Sequence, residues 1–215
     1  MKMPFSVDRF FEVFRHYNES LWPAQVFLLI LAIIVIILVL RPRSWTGRVV
    51  SAILAFLWFW LALAYHLAFF SHINRLAYGF SLLSLVGAFV FLWQGVIRLR
   101  LQFALRWGFW SVPGVMLVLY ALVVYPLWSS YAGHPYPAMP TFGLPCPTTI
   151  FTIGILAFAR PVYLRSPLVV PALWCLIGGQ AAFSLNVPPD YGLFAAFLVA
   201  GGLWVRRQHR WTVAA

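Results

Sequence analysis

Long apolar stretches separated by short polar segments make up most of the chain. A helix that crosses a bilayer needs roughly 17 to 25 predominantly apolar residues. Seven stretches are candidate spans, the fifth of them short, and they cover residues 24–40, 49–70, 76–97, 110–130, 148–159, 168–185 and 191–205. The pattern predicts an all-α integral membrane protein, built as a bundle of about seven transmembrane helices.

The first 22 residues carry a different, amphipathic pattern. Phe10, Phe14 and Tyr17 recur at helical spacing, and charged side chains occupy the opposite face. We therefore expect an interfacial helix over residues 1–22 that lies on the outer surface of the membrane. Neither an internal repeat nor a long linker divides the chain, which predicts a single transmembrane domain over residues 1–215.

Composition and charge agree with a membrane location. Hydrophobic residues make up 63% of the chain and charged residues 9%, against about 25% charged in soluble proteins. Positive residues in short loops mark the cytoplasmic side. Eleven of the 15 Lys and Arg residues fall in one set of alternating loops, which predicts the N-terminus outside and the C-terminus in the cytoplasm. This topology explains the net charge of +11, so the expected partner is the lipid bilayer and not a nucleic acid.

The candidate spans hold few groups that could do chemistry. Their interiors contain no Asp, Glu, Lys or Arg, which argues against a carboxylate-based ion relay. Four of the five histidines fall on the predicted outer side, where imidazoles could bind haem iron or a metal ion. Their spacing matches no ligand motif, and no nucleophile elbow or related motif is present. We therefore expect no catalytic residues, and an enzyme is disfavoured. We also predict no cofactor, with bound haem or a metal ion as the alternative.

The segment TFGLPCPTTIFTIG interrupts the pattern of long spans. Pro145 and Pro147 lack N–H donors, and proline disfavours a helical residue before it. Leu144 and Cys146 are therefore predicted to be extended, with a helix beginning around Thr148. The helix would then be about 18 Å long, which is shorter than the hydrocarbon core of a bilayer, about 30 Å thick. Either the uncharged segment descends into the membrane before the helix starts, or the short helix is buried by its neighbours.

A helix that begins at half depth exposes free N–H groups and hydroxyls to a polar ligand. Side chains from other spans at a similar depth could complete such a site. The candidate binding residues are Cys146, Thr148, Thr149, Thr152, His66, Gln25 and Gln180.

Four stretches carry a resemblance that covers nearly the whole chain: FFEVFRHYNESLWP, AYHLAFFSHIN, YPAMPTFGLPCPTTIFTIG and PALWCLIGGQAAFSLN. Together they resemble an uncharacterised family of bacterial polytopic inner-membrane proteins, a domain of unknown function of which some members are labelled permease-like. The resemblance implies a bacterial inner-membrane location. It implies no particular substrate, reaction or cofactor.

These observations predict a small-molecule or ion permease, or a binding protein, whose site opens to the extracytoplasmic face. The alternatives are a haem- or metal-binding redox subunit and a non-catalytic membrane scaffold. The sequence specifies neither the small molecule or ion nor the oligomeric state.

Overall fold

The structure, a computed structural model, describes residues 5–160 and 164–205. These residues form nine α-helices, which confirms the predicted all-α bundle. The helices are α1 Val7–Ser20, α2 Ala24–Leu40, α3 Thr46–Trp60, α4 Ala77–Phe91, α5 Ser111–Leu119, α6 Tyr125–Tyr131, α7 Pro145–Leu156, α8 Ser166–Leu185 and α9 Gly192–Val205. Two short strands, β1 Gln102–Phe103 and β2 Ala159–Arg160, pair antiparallel between the helices.

Wider π-helical turns prolong three of the helices. Leu61–Leu67 continues α3, Leu92–Ile97 continues α4, and Tyr120–Val124 joins α5 to α6. The 3-10 turns Phe70–His72 and Pro188–Tyr191 precede α4 and α9. A π-helical turn changes the direction in which the following side chains point, and such turns are frequent at functional sites.

Four of the resulting helical segments are long and apolar enough to cross a membrane: Thr46–His72, Ala77–Ile97, Ser111–Tyr131 and Ser166–Leu185. A fifth is added if α1 and α2 count as one span, although they are bent by 86°. Within the described residues this number is lower than the predicted seven. The difference arises because apolar composition does not ensure length: α7 has 12 residues and the described α9 has 14. The long apolar helices support a membrane-embedded protein.

Helix α1 confirms the amphipathic helix predicted near the N-terminus. Ser6 caps it, because the Ser6 Oγ accepts a hydrogen bond from the Arg9 N–H at 3.2 Å. Its buried face includes Phe10, Phe14 and Tyr17. These rings pack in one cluster with residues from the end of the α3 segment, the start of α4 and the end of α8. Helix α1 therefore covers one end of the bundle.

Helix α7 lies inside the bundle and begins three residues earlier than predicted. Leu144 is extended, as expected, but the helix starts at Pro145, so the prediction of an extended Cys146 is wrong. Proline is tolerated in the first turn because the N–H groups there have no partner within the helix. Every residue from Pro147 to Leu156 is buried. Burial by neighbouring helices explains how so short a helix sits in the bundle.

Candidate functional site

A cavity of about 180 Å³ lies where α1 crosses the end of the bundle. Residues of α1, of the α3 extension, of α4, α6 and α8, and of the segment that leads into α7 line it. We call this space the α1 cavity. A buried cavity of about 150 Å³ holds a benzene ring in other proteins. The α1 cavity is therefore large enough for a small ring with a short substituent.

Aromatic rings form most of the cavity wall. The principal rings are Phe10, Phe14, Tyr65, Phe70, Phe80 and Trp174. Their centroids lie close together, at 4.6 Å for Phe10 and Phe14, 5.6 Å for Tyr65 and Phe70, and 5.3 Å for Phe80 and Trp174. The rings come from five separate elements, α1 among them, so the wall is complete only when α1 is docked on the bundle.

His66 lies in this wall with no hydrogen-bond partner for either ring nitrogen among the described residues. The π-helical turn after α3 carries it, and its side chain is fully buried. The centroid of its ring is 5.0 Å from that of Trp174, whose Nε1 also lacks a partner there. An unpaired buried polar group costs about 1–3 kcal/mol. A neutral imidazole offers one donor and one acceptor, and an indole offers one donor.

Asp190 adds a buried carboxylate to the same cavity. It belongs to the 3-10 turn before α9. The Tyr120 hydroxyl holds this turn in place by donating a hydrogen bond to the Pro189 carbonyl oxygen at 2.7 Å. Its Oδ1 accepts a hydrogen bond from the Tyr125 hydroxyl. Burial raises the pKa of Asp190 to about 6, although hydrogen bonds from Tyr125 and Cys146 lower it. Asp190 is absent from the sequence-predicted set, although it is the one acidic residue outside α1.

Three of the seven sequence-predicted residues line the α1 cavity: Cys146, His66 and Gln180. They come from three different helical segments, which the sequence separates by many residues. Cys146 is partly buried in the first turn of α7, while Cys175 of α8 is buried, and both are free thiols.

The three threonines of α7 lie outside this lining. Thr148 and Thr152 instead tie the helix to its surroundings. The Gly143 N–H donates to Thr148 Oγ1 at 3.2 Å. The Trp58 Nε1 donates to Thr152 Oγ1, also at 3.2 Å. The Thr149 hydroxyl is buried and has no partner among residues 5–160 and 164–205.

Gln25 also lies away from the cavity, in a cluster around Asn18. The Asn18 Nδ2 donates to the carbonyl oxygens of Pro137 and Met139 at 2.6 Å and 2.9 Å. Its Oδ1 accepts from the Thr141 hydroxyl at 2.7 Å and from the Gln25 Nε2 at 3.3 Å. Asn18 is fully buried near the end of α1. It ties α1 to the proline-rich segment that precedes α7.

Metal binding requires several His, Cys, Asp or Glu side chains at one point. In the part of the chain that the structure describes, no three such side chains are grouped so that they could hold a metal ion. The α1 cavity instead presents aromatic rings, one imidazole and one carboxylate.

Comparisons with known proteins identify a family. Searches of curated proteins and of solved structures found no match to the chain. A family model described as one of unknown function matches residues 7–215, nearly the whole length. This match confirms the resemblance to an uncharacterised family. On that basis the chain belongs to DUF6064, a family of unknown function.

Proposed function

We propose that the protein binds a small molecule in the α1 cavity and serves as a binding protein or permease for it. The observation that carries this proposal is the fully buried His66 in the cavity wall, whose ring nitrogens have no hydrogen-bond partner in the part of the chain that the structure describes. A buried polar group without a partner costs folding free energy. A ligand that hydrogen-bonds to His66 would recover that free energy, which supports a binding role.

The shape and lining of the cavity support the same role. Ligand sites in proteins are concave and mostly apolar, with a few polar groups that orient the ligand. The α1 cavity has this character, since aromatic rings surround the polar groups of His66, Trp174 and Asp190. If His66 served packing alone, the folded protein would be more stable with phenylalanine at this position, because no unpaired polar atoms would then be buried.

We further propose a location in a bacterial inner membrane, with the N-terminus outside and the C-terminus in the cytoplasm. The excess of arginines in one set of alternating loops supports this orientation. The α1 cavity would then open to the extracytoplasmic face.

Toward the opposite end of the bundle, α7 places apolar side chains in the interior. The α7 side chains Ile150, Phe151 and Ile153 are fully buried and apolar. A binding protein needs no opening on that side, whereas a permease would have to move these helices to release its ligand.

The proposal is tested with methyl methanethiosulfonate, a small neutral reagent that forms a mixed disulfide with a cysteine thiol. We expect Cys146 in the purified protein to react faster than Cys175, because Cys146 is partly buried and lines the cavity, whereas Cys175 is buried in the core. Mass spectrometry of peptides after timed labelling follows both thiols in one sample, so Cys175 is the control. Equal rates at the two cysteines in the folded protein would contradict an accessible cavity.

A further inference from the structure

The lining of the α1 cavity also indicates the charge of its ligand. We propose that the cavity takes a small lipophilic amine in its protonated, ammonium form. This inference rests on the proposed binding function and specifies the chemical class of the ligand.

The first support is the charge of the lining. Among the described lining residues Asp190 is the one acid, and none is Lys or Arg. A buried charge is costly unless it is paired. An anionic ligand would place a second negative charge beside the Asp190 carboxylate with no cation to balance it. An ammonium ion would instead compensate that carboxylate.

The second support is the aromatic wall. A cation is attracted to the face of an aromatic ring within about 6 Å of its centroid, most strongly to tryptophan. Trp174 and Phe80 stand at 5.3 Å from each other, and Tyr65 and Phe70 at 5.6 Å. All four rings line the cavity, so a cation held there lies beside several aromatic side chains. Cages of aromatic rings are a recurrent way in which proteins bind organic ammonium ions.

The third support is the set of hydrogen-bond acceptors. An ammonium group carries donors and no acceptor, so it needs acceptors around it. The neutral ring of His66 offers one, and the Asp190 carboxylate has capacity beyond the bond from Tyr125. An amine that also carries a hydroxyl would accept a hydrogen bond from the Trp174 Nε1–H, which has no partner among the residues that the structure describes.

The test compares three probes of nearly equal size and different charge: benzylammonium, benzyl alcohol and benzoate. Each is titrated at pH 7.5 against the wild-type protein, and its occupancy is measured as protection of Cys146 from methyl methanethiosulfonate. We expect benzylammonium to protect with an apparent Kd at least about tenfold lower than benzyl alcohol. Benzoate should give no protection over the same concentration range.

The outcomes separate the ligand class from the binding function. Protection by benzyl alcohol or benzoate that equals or exceeds that by benzylammonium overturns the ammonium ligand and leaves the cavity as a binding site. Failure of all three probes to protect a reactive Cys146 overturns both proposals.

A variant then tests the role of the carboxylate. Asp190→Asn removes the charge at nearly constant size, and the preference for benzylammonium over benzyl alcohol should fall by about tenfold. Affinity for benzyl alcohol should stay the same. Glu19→Gln, which removes an exposed carboxylate from α1, should leave the preference unchanged. An unchanged preference in Asp190→Asn would overturn the pairing of the ammonium group with the Asp190 carboxylate. If this variant fails to fold, the three probes on the wild-type protein alone decide the ligand class.

Discussion

At the scale of single residues, Asp190 is a buried acid whose ionisation depends on its surroundings. It is enclosed by the Tyr125 and Tyr120 side chains of the α5–α6 segment, by Tyr65 of the α3 extension and by Cys146 of α7. Burial raises its pKa from 3.8 to about 6. The ionised carboxylate is therefore less stable in the folded protein than in the unfolded chain.

This shift predicts that stability falls as pH rises. Below about pH 4 the carboxyl group is protonated in both states, and its contribution to stability is fully present. Between about pH 4 and pH 6 the unfolded chain loses its proton first, so the folded protein should lose about 3 kcal/mol relative to Asp190→Asn. Thermal unfolding of both proteins in detergent, from pH 4 to pH 7.5, measures this difference. Parallel profiles for the two proteins would contradict a buried carboxylate with a raised pKa.

At the scale of elements, α1 and α7 show what the sequence can and cannot predict. The amphipathic pattern was enough to predict α1, because its apolar and charged faces are distinct. Helix α7 has no distinct polar face, so depth along the helix could be estimated but not the face that each residue occupies. Cys146 consequently lies at the cavity, whereas Thr152 on the same helix bonds to Trp58 of α3. Long-range hydrogen bonds of this kind leave no local pattern.

Asn18 provides a test of how α1 is held over the cavity. Asn18→Ala should leave the buried carbonyl groups of Pro137 and Met139 without their donor, at a cost of about 1–3 kcal/mol. We expect faster amide hydrogen exchange in α1 and in residues 137–144, together with faster labelling of Cys146. Glu19→Gln, at an exposed position next to Asn18, is the matched control. Unaltered exchange in Asn18→Ala would show that other contacts hold α1.

At the scale of the whole molecule, composition predicts a helical membrane protein but gives more spans than the described residues contain. The apolar stretches have similar compositions but different surroundings. Helix α7 is enclosed by protein, whereas α2 exposes the side chains of Phe27, Ile30 and Ile33. Which apolar surface meets lipid and which meets protein depends on packing between distant helices. The cavity has the same origin, because its rings and its carboxylate come together only when α1, the α3 extension, α4, α6, α8 and the 3-10 turn before α9 are assembled.

The most direct measurement of the central proposal, a small-molecule site open to the extracytoplasmic face, is the sidedness of Cys146 labelling. The reagent is 2-(trimethylammonium)ethyl methanethiosulfonate, which does not cross membranes, applied to right-side-out and to inside-out vesicles. Ser20→Cys and Ser44→Cys, both at exposed positions and made without the native cysteines, mark the two faces.

In right-side-out vesicles we predict labelling of Cys146 and of Ser20→Cys, with Ser44→Cys labelled in inside-out vesicles. Labelling of Cys146 from the outer face alone corresponds to a binding protein, and labelling from both faces to a permease. Labelling of Cys146 only in inside-out vesicles, or from neither face, would contradict a cavity that opens to the outside.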